Sequence, residues 1–258
     1  MILDDIVAAK RLDLVMEEQA VPLPVLTRQA QDAGPVRDFR AALAAHGLSV
    51  IAEVKRASPS KGLIAGEFDP VGIATQYEAG GAAAVSVLTE RHWFRGCNRI
   101  LTQVRSAVSL PVLRKDFIID PRQVIGARAI GADAILLIAA ILDDRLMREL
   151  SILAAEFGLA CLYEAHTEKE VKRCADCGAA IIGINNRNLK TMAVDLAAFE
   201  ALRRHVPSSV LAVAESGIHT TEDARRMREA GADAILVGES LMRAPDAAAA
   251  LRELRGNR

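Results

Sequence analysis

Two lysines and three glutamates recur in this sequence where short apolar runs end. Glu53 and Lys55 alternate with Ile51, Lys115 alternates with Leu113 and Phe117, and Glu164 alternates with Leu162 and His166. In a strand, residues two apart share a face, so each set points to one side. Glu215 closes another run ahead of Ser216 and Gly217, and Asn185 closes one with Arg187 two residues on. Taken singly, each has a bland reading: Lys115 as half of a buried ion pair, Glu53 with Lys55 as a pair at a rim. Taken together, so many charges at the same end of different strands carry a desolvation cost that stability alone does not justify. The types suit acid–base work, with a lysine that donates a proton and stabilises a developing oxyanion among carboxylates that exchange protons.

A second pattern suits an anion. Glu215-Ser216-Gly217-Ile218 and Gly238-Glu239-Ser240 place glycines where the last two runs become loops. Barrels often hold phosphate there on backbone N–H groups, which glycine lets the anion approach closely. The plain alternative is that these glycines only turn the chain. The stretch from Arg56 to Pro70 is long for a connection and reads as a lid, with Ser58 and Lys61 as phosphate donors and Gly62 and Gly66 as hinges. A merely solvated loop is the competing reading. Phe94, Phe117, Leu136 and Leu189 fall near run ends, where they line an apolar pocket or simply fill the core. Cys174 and Cys177 form a Cys-x-x-Cys without a second ligand pair, and the five histidines show no metal-ligand spacing. No metal is expected, and His166 reads as a structural residue.

The elements that must position these groups are marked by one repeated punctuation. A helical pattern ends in Gly-Ala at 81–82, 131–132, 178–179 and 231–232, and an apolar run follows. Eight such runs are expected as strands: Leu48–Lys55, Ala83–Thr89, Pro111–Asp116, Ala134–Ile138, Leu159–Ala165, Ala180–Asn185, Val210–Glu215 and Ala234–Gly238. Amphipathic stretches between them include Asp69–Ala79, Arg122–Ile130, Asp143–Phe157, Glu168–Cys174, Leu196–His205 and Thr221–Ala230. Strict alternation with short connections predicts an α/β fold, a closed (β/α)8 TIM barrel over residues 48–258. Residues 1–47, with helical character in Ile2–Gln19 and Val36–His46, read as an N-terminal helical extension too small to bury its own core. One domain over 1–258 is expected. No Gly-x-Gly-x-x-Gly follows the first strand, which weakens a dinucleotide-binding alternative.

Composition narrows the classes. Of 258 residues, 51% are hydrophobic and 25% charged, which excludes general disorder, and 3% are aromatic, which suits parallel strands packed with Ala, Val, Ile and Leu. A formal charge of −1 leaves no excess for a polyanion, so no nucleic acid is expected as a partner. The four cysteines are too few and uneven for a disulfide framework, the start lacks a signal-peptide pattern, and the longest apolar run, Ala134–Leu142, is too short to span a membrane. A cytoplasmic protein without membrane association is expected, as a monomer or weak homo-oligomer.

The stretches Ile51-Ala-Glu-Val-Lys-Arg-Ala-Ser-Pro-Ser-Lys-Gly62, Pro111-Val-Leu-Arg-Lys-Asp-Phe117 and Ile182-Gly-Ile-Asn-Asn-Arg-Asn-Leu-Lys-Thr191 resemble the indole-3-glycerol-phosphate synthase family, as do Ala214-Glu-Ser-Gly-Ile218 and Val237-Gly-Glu-Ser-Leu-Met242. The resemblance runs from the Ile-Val-Ala-Ala-Lys segment at residues 6–10 to near the C-terminus, and it is to the monofunctional form. It implies ring closure, decarboxylation and dehydration of 1-(2-carboxyphenylamino)-1-deoxyribulose 5-phosphate, a small phosphorylated substrate, in tryptophan biosynthesis and without a cofactor. By resemblance Lys115 is the general acid, and Glu164 and Glu53 are catalytic carboxylates. Lys55 contacts the substrate carboxylate and donates a proton in dehydration. Asn185, Arg187, Glu215 and Ser216 orient substrate and intermediate, while Ser58, Gly217, Gly238 and Glu239 bind phosphate. Phe94 and Phe117 would hold the benzene ring beside the ribulose carbonyl. This chain departs at Ala165, where the family has a larger aliphatic residue, and at Cys97, where serine is common. Two rivals remain at this level: an aldolase-type barrel with a Schiff base on Lys115, and an idle phosphosugar-binding barrel that regulates a partner.

Overall fold

The computed structural model describes residues 2–45, 47–64 and 68–256. His46 and Gly66, the expected helix end and second hinge, lie outside the described residues. Eight parallel strands close into a barrel: β1 (Ser49–Val54), β2 (Ala84–Leu88), β3 (Val112–Lys115), β4 (Ala134–Ile138), β5 (Ala160–Ala165), β6 (Ile181–Asn185), β7 (Leu211–Glu215) and β8 (Ala234–Val237). Each pairs with its neighbours in sequence, and β1 closes the ring against β8. The expected (β/α)8 TIM barrel is therefore present, with every strand within a residue or so of its expected limits. Register matters for the site, because Asn185 of β6 sits opposite Glu215 of β7 and Leu88 of β2 opposite Lys115 of β3.

The helices follow from capping as much as from periodicity. Three precede the barrel, α1 (Ile2–Ala20), α2 (Leu23–Asp32) and α3 (Phe39–Leu43). Around the strands run α4 (Pro70–Ala79), α5 (Asn98–Ala107), α6 (Pro121–Ala129), α7 (Asp144–Glu156), α8 (Glu168–Asp176), α9 (Ala197–Arg203), α10 (Thr221–Glu229), α11 (Glu239–Arg243) and α12 (Ala247–Leu254). Side chains of Asp69, Asp120, Asp143, Thr167, Thr220 and Asp246 accept N–H groups of the first turns of α4, α6, α7, α8, α10 and α12. The glycines of the Gly-Ala punctuation take left-handed φ of 85°, 87°, 82° and 91°, as the sequence requires.

Two corrections concern the extension. The helix expected over Val36–His46 is helical only at Phe39–Leu43. Asp38 caps it there, and the Arg37 N–H is drawn instead to the Asp133 carboxylate at 2.7 Å. Conversely, α2 escapes a sequence reading because Pro22 and Pro24 look like breakers, although proline is tolerated in a first helical turn.

The core has two layers, as helix-wrapped barrels do. Ile51, Leu113, Leu136, Leu162, Val213 and Leu236 fill the barrel, and Phe39 and Leu43 of α3 join them beside Ala84, Ala134, Ile181 and Ala234, residues at the strand starts. Thus α3 plugs the N-terminal end. The outer layer packs Val50, Val85, Ile135, Leu137 and Ile182 against helix residues such as Leu101, Met147, Leu150 and Phe199. A Gly-Ala-Asp-Ala motif occurs at both 131–134 and 231–234. Its aspartates are structural: Asp133 accepts the Val112 N–H at 2.8 Å and Asp233 the Ala212 N–H at 2.7 Å, each tying a strand start to the strand before it.

Candidate active site

At the C-terminal ends of the strands the period-two sets do converge. Lys115 Nζ lies 3.6 Å from Glu215 Oε2, 3.8 Å from Glu164 Oε2 and 3.9 Å from Glu53 Oε2. Lys55 Nζ sits 2.5 Å from Glu53 Oε1. The three glutamates are buried. All these groups line one cavity, with Asn185, Arg187 and Ser216 on the β6 and β7 side, and Ser58, Gly217, Gly238 and Glu239 toward β1 and β8. Phe94, Phe117, Leu136 and Leu189 line it too. These candidates therefore face the same space, whereas Lys61 is not among its walls.

Burial and charge set the protonation of the cluster. Burial lowers the hold of Lys115 on its proton, but Glu215, Glu164 and Glu53 outweigh it and hold the ammonium well above the ordinary lysine range. Burial likewise raises the Glu53 carboxyl, yet Lys55 and Lys115 pull it below its ordinary value. Glu215 goes the other way. Its burial, with Glu164 nearby, pushes its carboxyl up to about 8 against the pull of Lys115. Both its oxygens lack a hydrogen-bond partner within the protein. Of the three carboxyls, Glu215 is the one whose hold on a proton is strengthened, because its burial and the neighbouring Glu164 outweigh Lys115.

Close packing explains two glycines. A Cβ on Gly238 would run into Glu53 Oε1 and lie 3.1 Å from Lys55 Nζ, so glycine just beyond β8 leaves this ion pair its room. A Cβ on Gly183 would run into Glu215 Oε1 and lie 3.3 Å from Leu162 Cδ1, so β6 must be bare where the Glu215 side chain crosses it. Ser216 adopts a left-handed φ of 67°, unusual for a residue with a side chain, and its carbonyl accepts the Asn186 side-chain N–H at 3.1 Å. Asn185 Oδ1 accepts the Arg187 N–H at 3.0 Å, and the Arg187 guanidinium donates to the Met192 carbonyl at 3.1 Å. In the β1 loop, Ala57–Ser58 pairs antiparallel with Gly62–Leu63. Lys61, expected as a phosphate donor, lies 3.7 Å from Glu239 Oε1 and pins this hairpin to the start of α11.

The apolar side has a wall and a cover. Phe94 and Phe117 stand 6.2 Å apart, tilted by 40°. Glu90, buried, accepts the N–H groups of His92, Trp93 and Phe94 at 2.8, 2.8 and 3.0 Å and so fixes the loop that carries Phe94. Ile2, Leu3 and Ile6 of α1 also line the cavity. An ion pair holds α1 in place, from Lys10 Nζ to Asp116 Oδ1 at 2.8 Å, immediately beside Lys115, and Asp13 pairs with Arg91 and His92. The sequence reading missed Glu90, Lys10, Asp116 and the α1 cover. Only the acid directly after a strand in Thr89-Glu90 hinted at one of them.

Among the described residues no three His, Cys, Asp or Glu side chains form a metal-holding group. Cys174 is buried, which pushes its thiol up to about 12. No helix of the described residues is long and apolar enough to cross a membrane.

Fold and site define a (β/α)8 barrel with acid–base groups and a glycine-lined cradle at the C-terminal ends of its strands. Within that class the sequence is specific: residues 3–254 match the family model described as Indole-3-glycerol phosphate synthase, and the chain belongs to that family. It is 49% identical over 255 residues to the indole-3-glycerol phosphate synthase of Desulfotalea psychrophila, covering 98% of each chain. To that of Albidiferax ferrireducens it is 48% identical over 257 residues, 98% of this chain and 97% of the relative. A thiamine phosphate pyrophosphorylase from Pyrococcus furiosus superposes with a TM-score of 0.62 at 20% identity, over 85% of this chain and 96% of that one, which is a likeness of fold.

Proposed function

We propose that this chain is an indole-3-glycerol-phosphate synthase, a carboxy-lyase acting on 1-(2-carboxyphenylamino)-1-deoxyribulose 5-phosphate in tryptophan biosynthesis. The observation that carries the reading is one lysine held charged among three carboxylates, facing an apolar wall, in a cavity whose other side is a glycine-lined cradle. The phosphate would rest on Ser58, Gly217, Gly238 and the start of α11 at Glu239. The benzene ring would lie between Phe94, Phe117, Leu136, Leu189 and α1, and Arg187 with Lys55 would meet its carboxylate.

That pose brings the aromatic carbon against the ribulose carbonyl, which is the proximity part of the catalysis. Lys115 protonates the carbonyl oxygen as the carbon–carbon bond forms. Loss of CO2 follows without a metal, because the ring iminium accepts the electron pair. In dehydration an acid, Lys55, protonates the leaving hydroxyl, and a carboxylate of the Glu53 and Glu164 pair removes the methylene proton. Glu215, Asn185 and Ser216 orient the intermediate. The reaction needs no cofactor, and a cytoplasmic location with no nucleic-acid or membrane partner fits a soluble phosphorylated substrate.

A Schiff-base role for Lys115 is disfavoured, because such a lysine must lose its proton easily and three carboxylates oppose that. The test is the rise of indole fluorescence when protein meets this substrate, with Lys115→Ala alongside. The wild type should show the rise. The variant should lose at least about 100-fold in turnover while retaining substrate binding. A variant with near-normal turnover would remove Lys115 as the acid, and a wild type without product would remove the activity.

A further inference from the structure

His166 is used by none of the steps above, yet its surroundings are unusual. It continues the inward face of β5 beyond Glu164, and both ring nitrogens are buried without a hydrogen-bond partner. Nε2 lies 3.5 Å from Glu164 Oε1, and Nδ1 lies 3.6 Å from Glu170 Oε2. Glu170, on α8, also accepts the His166 backbone N–H at 2.7 Å, which sets it against the ring. His166 and Glu170 line a second groove, which shares Leu3, Asn185, Arg187 and Leu189 with the main cavity and whose outer walls include the exposed Arg11, Thr167 and Lys190. The ring thus bridges a carboxylate of the reaction cavity and a carboxylate that faces solvent by another way.

The proposed reaction gives that bridge a task. The substrate enters as a carboxylate and leaves as neutral CO2, water and the indole product, so each turnover consumes one proton. Bound substrate fills the main cavity under the α1 cover, and a proton needs a second entrance. We propose that Glu170 and His166 form that entrance, carrying a solvent proton to Glu164 and from there to Lys115, 3.8 Å away.

In each cycle the imidazolium gives its Nε2 proton to Glu164 Oε1, so that one N–H bond breaks, one O–H bond forms and the ring becomes neutral. A half-turn of the ring about Cβ–Cγ, unhindered by hydrogen bonds, brings the bare Nε2 to the Glu170 side, and the reverse turn follows once it is reprotonated. A proton taken by Glu170 from water restores it, and no electrons change hands. Burial disfavours the charged ring, but the Glu170 carboxylate beside it and the charges of Glu164 and Glu215 more than compensate. Among groups further out, Asp4 and Arg11 of α1 and Lys190 of the β6 loop share the groove.

This inference rests on the proposed synthase reaction, and the test separates the two. Single-turnover and steady-state rates would be measured for wild type, His166→Ala and Glu170→Gln, each with and without tens of millimolar imidazole. An already protonated site needs no relay for its first turnover. Both variants should therefore keep single-turnover rates within about twofold of wild type while kcat falls by at least about tenfold. Imidazole should restore much of the loss in His166→Ala. Unchanged kcat in both variants would overturn the relay, as would a parallel fall in both rates without imidazole rescue. Glu170→Gln, on a helix at the surface, keeps the backbone acceptor and serves if His166→Ala does not fold. Absence of product from wild type would instead strike at the synthase reading.

Discussion

At the scale of single residues, the cluster around Lys115 shows how burial divides roles among like groups. Glu53 and Glu215 are both buried carboxylates, yet the first is held ionised by Lys55 and the second holds a proton up to about pH 8. The unfolded chain releases the Glu215 proton near the ordinary carboxyl value of 4.5. Between those two values the folded protein binds a proton that the unfolded chain does not, so stability falls as pH rises through this window. Glu215→Gln, which mimics the protonated group, should remove that dependence. Its Tm relative to wild type should rise steadily from pH 5 to pH 8, while turnover falls. A Tm difference that does not change with pH would show that Glu215 is ionised in the fold. The Schiff-base alternative is checked here as well: borohydride with a phosphosugar ketone should leave no covalent adduct on Lys115, as shown by mass spectrometry. The types and parity of these side chains were legible in the sequence. The opposite behaviour of two glutamates was not, because it depends on barrel closure, which buries Glu215 beside Glu164 with Lys115 but without Lys55.

At the scale of elements, much of what holds the site lies outside the strands that bear it. The α1 helix covers the cavity with Ile2, Leu3 and Ile6 and is fastened by the buried pair of Lys10 with Asp116, where Asp116 also accepts from Arg114 and Thr89. Lys10→Met should therefore cost about 3 kcal/mol, since it leaves a buried carboxylate with one partner fewer. It should also raise KM by loosening the cover, and an unchanged Tm with unchanged KM would show the pair to be idle. Asp133→Ala belongs to the opposite end of the barrel. It removes the acceptor of the Arg37 and Val112 N–H groups and the partner of Arg105, and should cost at least about 3 kcal/mol with little change in KM. Urea denaturation of both variants decides between these outcomes. Strands and helices around the barrel were readable because Gly-Ala stops and buried runs are local signals. The short α3 and the proline-started α2 were less so, since Asp133, nearly a hundred residues away, decides where α3 begins.

At the scale of the whole molecule, the extension and the barrel close one another. Phe39 and Leu43 complete the barrel interior at one end, and α1 covers the other. We expect residues 1–47 and 48–258 to unfold as one unit. Trp93, the only tryptophan, lies next to Phe94 in the loop whose Arg91 and His92 meet Asp13 of α1. Its fluorescence should therefore change in the same urea transition as the far-ultraviolet circular dichroism. An earlier fluorescence transition would mean that the extension detaches first and is a unit of its own.

By itself the sequence determined the alternation of eight strands with helices, the inward parity of Glu53, Lys55, Lys115 and Glu164, and the glycine-marked loops after β7 and β8. These follow from periods of 2 and 3.6 residues and from turn chemistry, which act over a few residues. Only the tertiary structure decided that Lys115 would have three carboxylates within 4 Å rather than one, that Glu215 would be the protonated member, and that Gly183 would clear a path for it. Those outcomes depend on barrel closure and register, which bring residues more than a hundred positions apart to the same few ångströms. There burial and Coulomb forces outweigh the intrinsic tendencies of each side chain.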